Sequence, residues 1–99
     1  MDNKYYCIDQ LMVKEGMMDK IIPAFEVIAE MARKCKGCEA YEVFQASTDP
    51  YMIVLYERWT TEADFMAHLE VEGMRDICKA RNEFLATHMV PDLYFKRVV

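Results

Sequence analysis

No run of about eighteen apolar residues occurs in this chain, which excludes a membrane-spanning helix. No basic stripe is present either. Twelve Lys and Arg stand against seventeen Asp and Glu, a net charge of −5, with the acids spread along the chain. A nucleic-acid partner is therefore not expected. The opening residues, MDNKYYCIDQ, lack the apolar core of a signal peptide, so the expected compartment is the cytoplasm. There is no GxGxxG, no HExxH and no second CxxC, so no sequence motif calls for a metal, a flavin or another cofactor. No linker, low-complexity tract or repeat divides the chain, and residues 1–99 are expected to form a single domain.

What is present is apolar. Hydrophobic residues make up 54% of the chain, against about 45–50% in a typical domain. A core of this size is small, and a second chain would help to bury the surplus. Four cysteines without an export signal are expected as reduced thiols. Cys35-Lys36-Gly37-Cys38 is a CxxC, but it closes a helix. The helix dipole there has the wrong sign to activate a thiol. The plainer reading is a helix end with Gly37 as its left-handed cap. Nine methionines suit an adaptable core or pocket lining.

Taken in order, Tyr5 to Val13 reads as a strand, rich in aromatic and branched residues and apolar on both faces. Asp9 shares the face of Cys7 and Leu11, either as a partly solvated acid or as an acid in a cavity. Lys14-Glu15-Gly16 is a turn. Asp19 is placed to cap the next helix, with Pro23 in its first turn. Met18, Ile21, Ile22, Phe25, Ile28, Ala29, Ala32 and Cys35 then recur at three and four, the stripe of an amphipathic helix. Glu39 to Ser47 and Tyr51 to Trp59 are strands joined by the turn Thr48-Asp49-Pro50, an antiparallel hairpin. Thr61-Glu62-Ala63-Asp64 resembles a capping box and opens a short helix bearing His68. Gly73 interrupts it. A second helical stretch runs from Met74 to His88, with Arg81 in its apolar stripe, and Pro91 ends it. Leu93 to Val99 is the last strand. The order β-α-β-β-α-β predicts an α+β fold of the ferredoxin-like kind.

Glu57-x-Trp59, with His68 nine residues after the tryptophan, and Gly37-Cys38-x-x-Tyr41-Glu42 ahead of it, carry a family resemblance. The chain resembles the antibiotic biosynthesis monooxygenase family over roughly Tyr5 to Val98. That family includes quinol and polyketide oxygenases, haem-degrading enzymes, a sugar-phosphate isomerase and many members without a known activity. The resemblance implies a homodimer in which two sheets pack face to face as an α+β barrel. It also implies a cavity in each subunit between sheet and helices. The bare apolar face of a single sheet makes the same demand for a partner.

The residues expected to line that cavity are Asp9, Glu57, Trp59, His68 and Arg81. His68 is the expected general base, since its ordinary pKa lies near neutrality; the plainer reading is a histidine at a helix border. Asp9 is its expected acidic partner. Trp59 offers a stacking surface for a flat substrate, or is ordinary core. Arg81 either pairs with an anionic substrate or snorkels, or bridges to Asp9 or Glu57. His88 reads as a partner of the helix dipole. The resemblance implies a cofactor-independent monooxygenase acting on a small quinol-like or dihydroxy-aromatic molecule. The haem-degrading branch fits less well, because Arg81 and Ala80 stand near the place of its axial histidine. An isomerase or lyase using the same pocket on a hydroxy-carbonyl compound, and a non-catalytic binding domain, remain the alternatives.

Overall fold

The sequence pattern becomes, in the computed structural model, a four-stranded antiparallel sheet with helices on one face; residues 2–86 and 93–99 are described. The elements are β1 (Tyr5–Met12), α1 (Met18–Arg33), β2 (Cys38–Gln45), β3 (Met52–Trp59), α2 (Glu62–His68), α3 (Met74–Asn82) and β4 (Tyr94–Phe95). Their spatial order, β2-β3-β1-β4, is that of a ferredoxin-like fold.

The stripe of α1 supplies the helical side of the core. Ile21, Phe25, Ile28, Ala29 and Ala32 are buried against Tyr41, Ile53, Leu55 and Trp59 of the sheet. The alternation of β3 is complete: Ile53, Leu55, Glu57 and Trp59 are buried under the helices, and the residues between them are half-exposed on the other face. Register then fixes the interior rows. Cys7 and Tyr41 both lie opposite Glu57, one on each side, and Asp9 lies opposite Leu55. The reverse face stays largely open, with Ile8 at 37% and Phe44 at 55% exposure.

Several local expectations change. The Met17 carbonyl accepts from Lys20 and Ile21, so backbone opens α1 and Asp19 sits in its first turn rather than capping it. Pro23 consequently lies inside α1, not in its first turn, with its ring on the exposed side. The helix from Met74 stops at Asn82. Beyond it, Phe84 accepts from the Lys14 N–H and Ala86 donates to Met12, so these residues extend the sheet beside Val13. The last strand is only two residues long. Tyr94 and Phe95 pair with Cys7 and Tyr6, after which Arg97 turns its side chain to the Tyr6 hydroxyl and the Asp2 carboxylate. His88 and Pro91 lie outside the described residues.

Gly37 is not the cap of α1, which ends on Lys34 in a right-handed conformation. The glycine is left-handed, at φ 82°, in the turn between α1 and β2. It also lies against α2: a Cβ built there would sit 2.2 Å from Asp64 Oδ2. Gly73, at φ 85°, separates α2 from α3.

Candidate functional site

Two short-range devices place the histidine. The Thr61 hydroxyl accepts from the Asp64 N–H at 3.1 Å and caps α2. The Thr60 N–H donates to the Gly37 carbonyl at 2.8 Å, which ties the start of α2 to the turn after α1. His68, the last residue of α2, is thereby carried over the end of β3. Its ring stacks on Trp59 with centroids 4.3 Å apart and planes 26° from parallel. Phe65 closes the cluster edge-on to both rings.

Hydrogen bonding sets the chemistry of these rings. His68 Nδ1 donates to the Phe65 carbonyl. In the neutral imidazole this leaves Nε2 as the acceptor. Nε2 lies 3.8 Å from Glu57 Oε1, and the Trp59 indole N–H donates to that same oxygen at 3.1 Å. Burial holds the His68 pKa below its ordinary value, against the smaller opposing effect of the Phe65 carbonyl. Burial thus favours the neutral form of the His68 imidazole, which lies beside the Glu57 carboxyl group.

Asp9 joins from β1. Its Oδ2 accepts from the Cys7 thiol at 3.5 Å and its Oδ1 from the Leu93 N–H at 3.2 Å. Cys7, Asp9 and Glu57 present atoms within 4.8 Å of one another, close enough to share one ion, and all three are buried. Asp9, Glu57, Trp59 and His68 are thus brought to one interior region. Arg81 takes another course. Its guanidinium lies over the Phe25 ring at 5.2 Å and bonds Asn82 Oδ1 at 2.8 and 3.1 Å.

Tyr41 was not among the expected site residues, yet it is 2% exposed and lies opposite Glu57 in the sheet. Burial, then the charge of Glu57, pushes its phenol well above the ordinary range, and Arg81 opposes this. Its signal in the sequence was its place in Gly37-Cys38-x-x-Tyr41-Glu42. Among the described residues no disulfide joins the cysteines, and burial followed by Glu57 pushes the Cys38 thiol up to about 11.

Among the described residues, open grooves flank the helices. One, of about 710 Å³, lies between α1 and the β2–β3 hairpin, over Phe25, Val43 and Phe44. The other, of about 760 Å³, lies between the end of α1 and α2. Of the five expected site residues, His68 alone lines one of these grooves, the second.

Fold and site together define a small ferredoxin-like α+β domain with an aromatic–imidazole pair buried between sheet and helix. The sequence pattern described as antibiotic biosynthesis monooxygenase matches residues 5–80, and the chain belongs to that family. Comparison with curated proteins gives no match. Solved structures do resemble it. A conserved protein of Methanosarcina mazei Go1 is 18% identical, with a TM-score of 0.89 over 96% of this chain and 93% of that one. Rv0793 of Mycobacterium tuberculosis is 14% identical, with a TM-score of 0.86 over 97% and 96%. SnoaB, a cofactor-independent oxygenase of Streptomyces nogalater, is 13% identical, with a TM-score of 0.86 over 98% and 95%. At such identities the likeness establishes the fold. Among the described residues, no helix is long and apolar enough to cross a membrane.

Proposed function

We propose that this protein is a cofactor-independent monooxygenase acting on a small quinol-like or dihydroxy-aromatic substrate, and that it works as a homodimer. The observation that carries the reading is the buried His68 ring, stacked on Trp59 and tied through Nδ1 so that Nε2 is the free acceptor. Family membership and the fold shared with SnoaB support the reaction class.

In this reading His68 takes a proton from a substrate hydroxyl or an activated C–H. A carboxylate 3.8 Å away stabilises the imidazolium that results. The electron-rich anion passes electrons to O2. One oxygen atom stays in the product and the other leaves as water, with the substrate as the reductant. Trp59 keeps the imidazole in plane and dry, and Glu57 and Asp9 form the acidic wall behind it. Arg81 has no part in the proton transfer, because its guanidinium is committed to Phe25 and Asn82.

The test is oxygen uptake by the purified, metal-free protein with a panel of quinols and dihydroxy-aromatics. Uptake above autoxidation is expected, and His68→Ala is expected to lower it by about 100-fold or more, the usual share of a general base. Wild-type protein that consumes no oxygen across the panel, or a His68→Ala variant that turns over normally, removes the reading.

A further inference from the structure

Cys7 and Asp9 stand in one interior row of β1, and Glu57 of β3 lies opposite Cys7. Strand pairing thus gathers a thiol and two carboxyl groups, with ligand atoms within 4.8 Å of one another and all three side chains more than nine-tenths buried. The donor set is mixed in kind. Oxygen ligands alone suit calcium or magnesium, whereas a thiolate among them selects zinc. The spacing agrees. Two ligands of one tetrahedral zinc, each about 2.0–2.3 Å from the metal, stand about 3.3–3.8 Å apart. Cys7 Sγ is 3.5 Å from Asp9 Oδ2, and His68 Nε2 is 3.8 Å from Glu57 Oε1. The second pair is a separate observation that calls for a cation. His68 Nδ1 donates to the Phe65 carbonyl, so in the neutral ring Nε2 presents a lone pair. It faces a carboxylate oxygen, itself an acceptor, beyond hydrogen-bond distance. Both side chains are more than nine-tenths buried, and an electropositive centre between the two acceptors would bind both. Each carboxylate is also oriented by an N–H: the Trp59 indole on Glu57 Oε1 at 3.1 Å and the Leu93 backbone on Asp9 Oδ1 at 3.2 Å. Outer hydrogen bonds of this kind hold metal ligands in place.

We propose that Cys7, Asp9, Glu57 and His68 form a zinc site, with Glu57 between the Cys7–Asp9 pair and the imidazole. On binding, the Cys7 S–H bond breaks, a sulfur–zinc bond forms and the proton leaves to solvent; no electron moves. Three of the four ligands stand on paired strands and the fourth on a capped helix, elements that hold a site more firmly than loops do. The site stands apart from the reaction proposed above and bears on it. A bound ion takes the lone pair of Nε2, so the zinc-loaded protein has no base.

Cobalt(II) reports the thiolate, because a cobalt–sulfur bond gives a near-ultraviolet charge-transfer band that oxygen and nitrogen ligands do not. Reduced, metal-free protein is titrated with Co2+. One ion per chain with this band is expected, displaced by Zn2+ and not by Ca2+. Calorimetry of zinc binding in two buffers of different protonation enthalpy is expected to show at least one proton released per ion. Cys7→Ser is expected to abolish the band and weaken zinc binding at least tenfold. His68→Ala is expected to keep the band and weaken binding at least tenfold. The double variant Cys35→Ser, Cys38→Ser removes the CxxC and is expected to bind as the wild type does. Trp59 is the chain's one tryptophan, so its indole N–H gives a single NMR resonance next to His68, which checks the fold of each variant before metal is added. Asp9→Asn, with the same tenfold loss expected, replaces a variant that does not fold. A wild type without the thiolate band, a band lost with the CxxC rather than with Cys7, or unchanged zinc affinity in Cys7→Ser or His68→Ala overturns the inference. Binding is read without substrate or oxygen, so its outcome is independent of oxygen uptake.

Discussion

His68 is held by opposing effects on one ring. Burial disfavours its charged form, the Phe65 carbonyl favours the Nδ1 proton, and burial is the larger. The sign for stability follows directly. In the unfolded chain a histidine titrates near 6.5. As pH falls past that value the unfolded state takes up the proton first, so the native state loses ground. The contribution is complete above about 6.5 and is lost as pH falls through the lower folded pKa. The His68 ring protons are therefore expected to titrate below about 6.5 in the folded protein. The melting temperature of the wild type is expected to fall more steeply on acidification than that of His68→Gln. A midpoint above about 6.5 would mean that Glu57, at 3.8 Å, outweighs burial. This residue was legible in the sequence because Glu57-x-Trp59 and a histidine on the next helix form a local pattern. Tyr41 and Cys7 were not read as neighbours of Glu57, because a strand apolar on both faces does not announce which row it joins. Only the cross-strand register does. Arg81 sat in an apolar stripe as read, but the ring it covers comes from α1, a tertiary fact that its own helix does not encode.

At the scale of elements, the long periodic segment was the most legible. The stripe of α1 is buried at Ile21, Phe25, Ile28, Ala29 and Ala32, but Ile22, read as part of it, is exposed, and its start was misplaced because a backbone carbonyl, rather than a side-chain cap, opened it. The last strand was overread for a different reason. LYFKRVV has strand-forming residues, but strand propensity is a fit to a partner surface. Past Phe95 the chain turns instead to side-chain contacts with Tyr6 and Asp2. The turn at Gly37 shows how one element positions another. Its φ of 82° is costly for any other residue, and an added Cβ would meet the Asp64 side chain in α2. Gly37→Ala is expected to lose at least about 1–2 kcal/mol from the left-handed backbone alone. It is also expected to displace α2, and with it His68. The check is thermal unfolding together with the Trp59 indole resonance: a stability loss with an unmoved indole would show that α2 holds its place without the turn.

At the scale of the molecule, the unanswered surface is the sheet face turned away from the helices. Ile8, Met12, Met52, Val54, Tyr56 and Phe44 stand on it, and Phe44 is 55% exposed. Small domains seldom leave so many apolar groups of one face in water. An isologous pairing of two such faces is the simplest closed solution, and the proposed dimer uses it. The wild type is expected to sediment at twice the chain mass. Val54 lies near the middle of β3 on that face, and a carboxylate there would be buried without a partner, which typically costs several kcal/mol. Val54→Asp is therefore expected to sediment as a monomer, with a lowered melting temperature. Val27→Asp makes the same charge change at a 47% exposed position of α1 and is expected to remain a dimer. A wild type that sediments as a monomer would remove the pairing. A Val54→Asp variant that stays dimeric would move the interface to another face, for which the apolar and exposed Leu93, Tyr94 and Phe95 would be the next surface to charge.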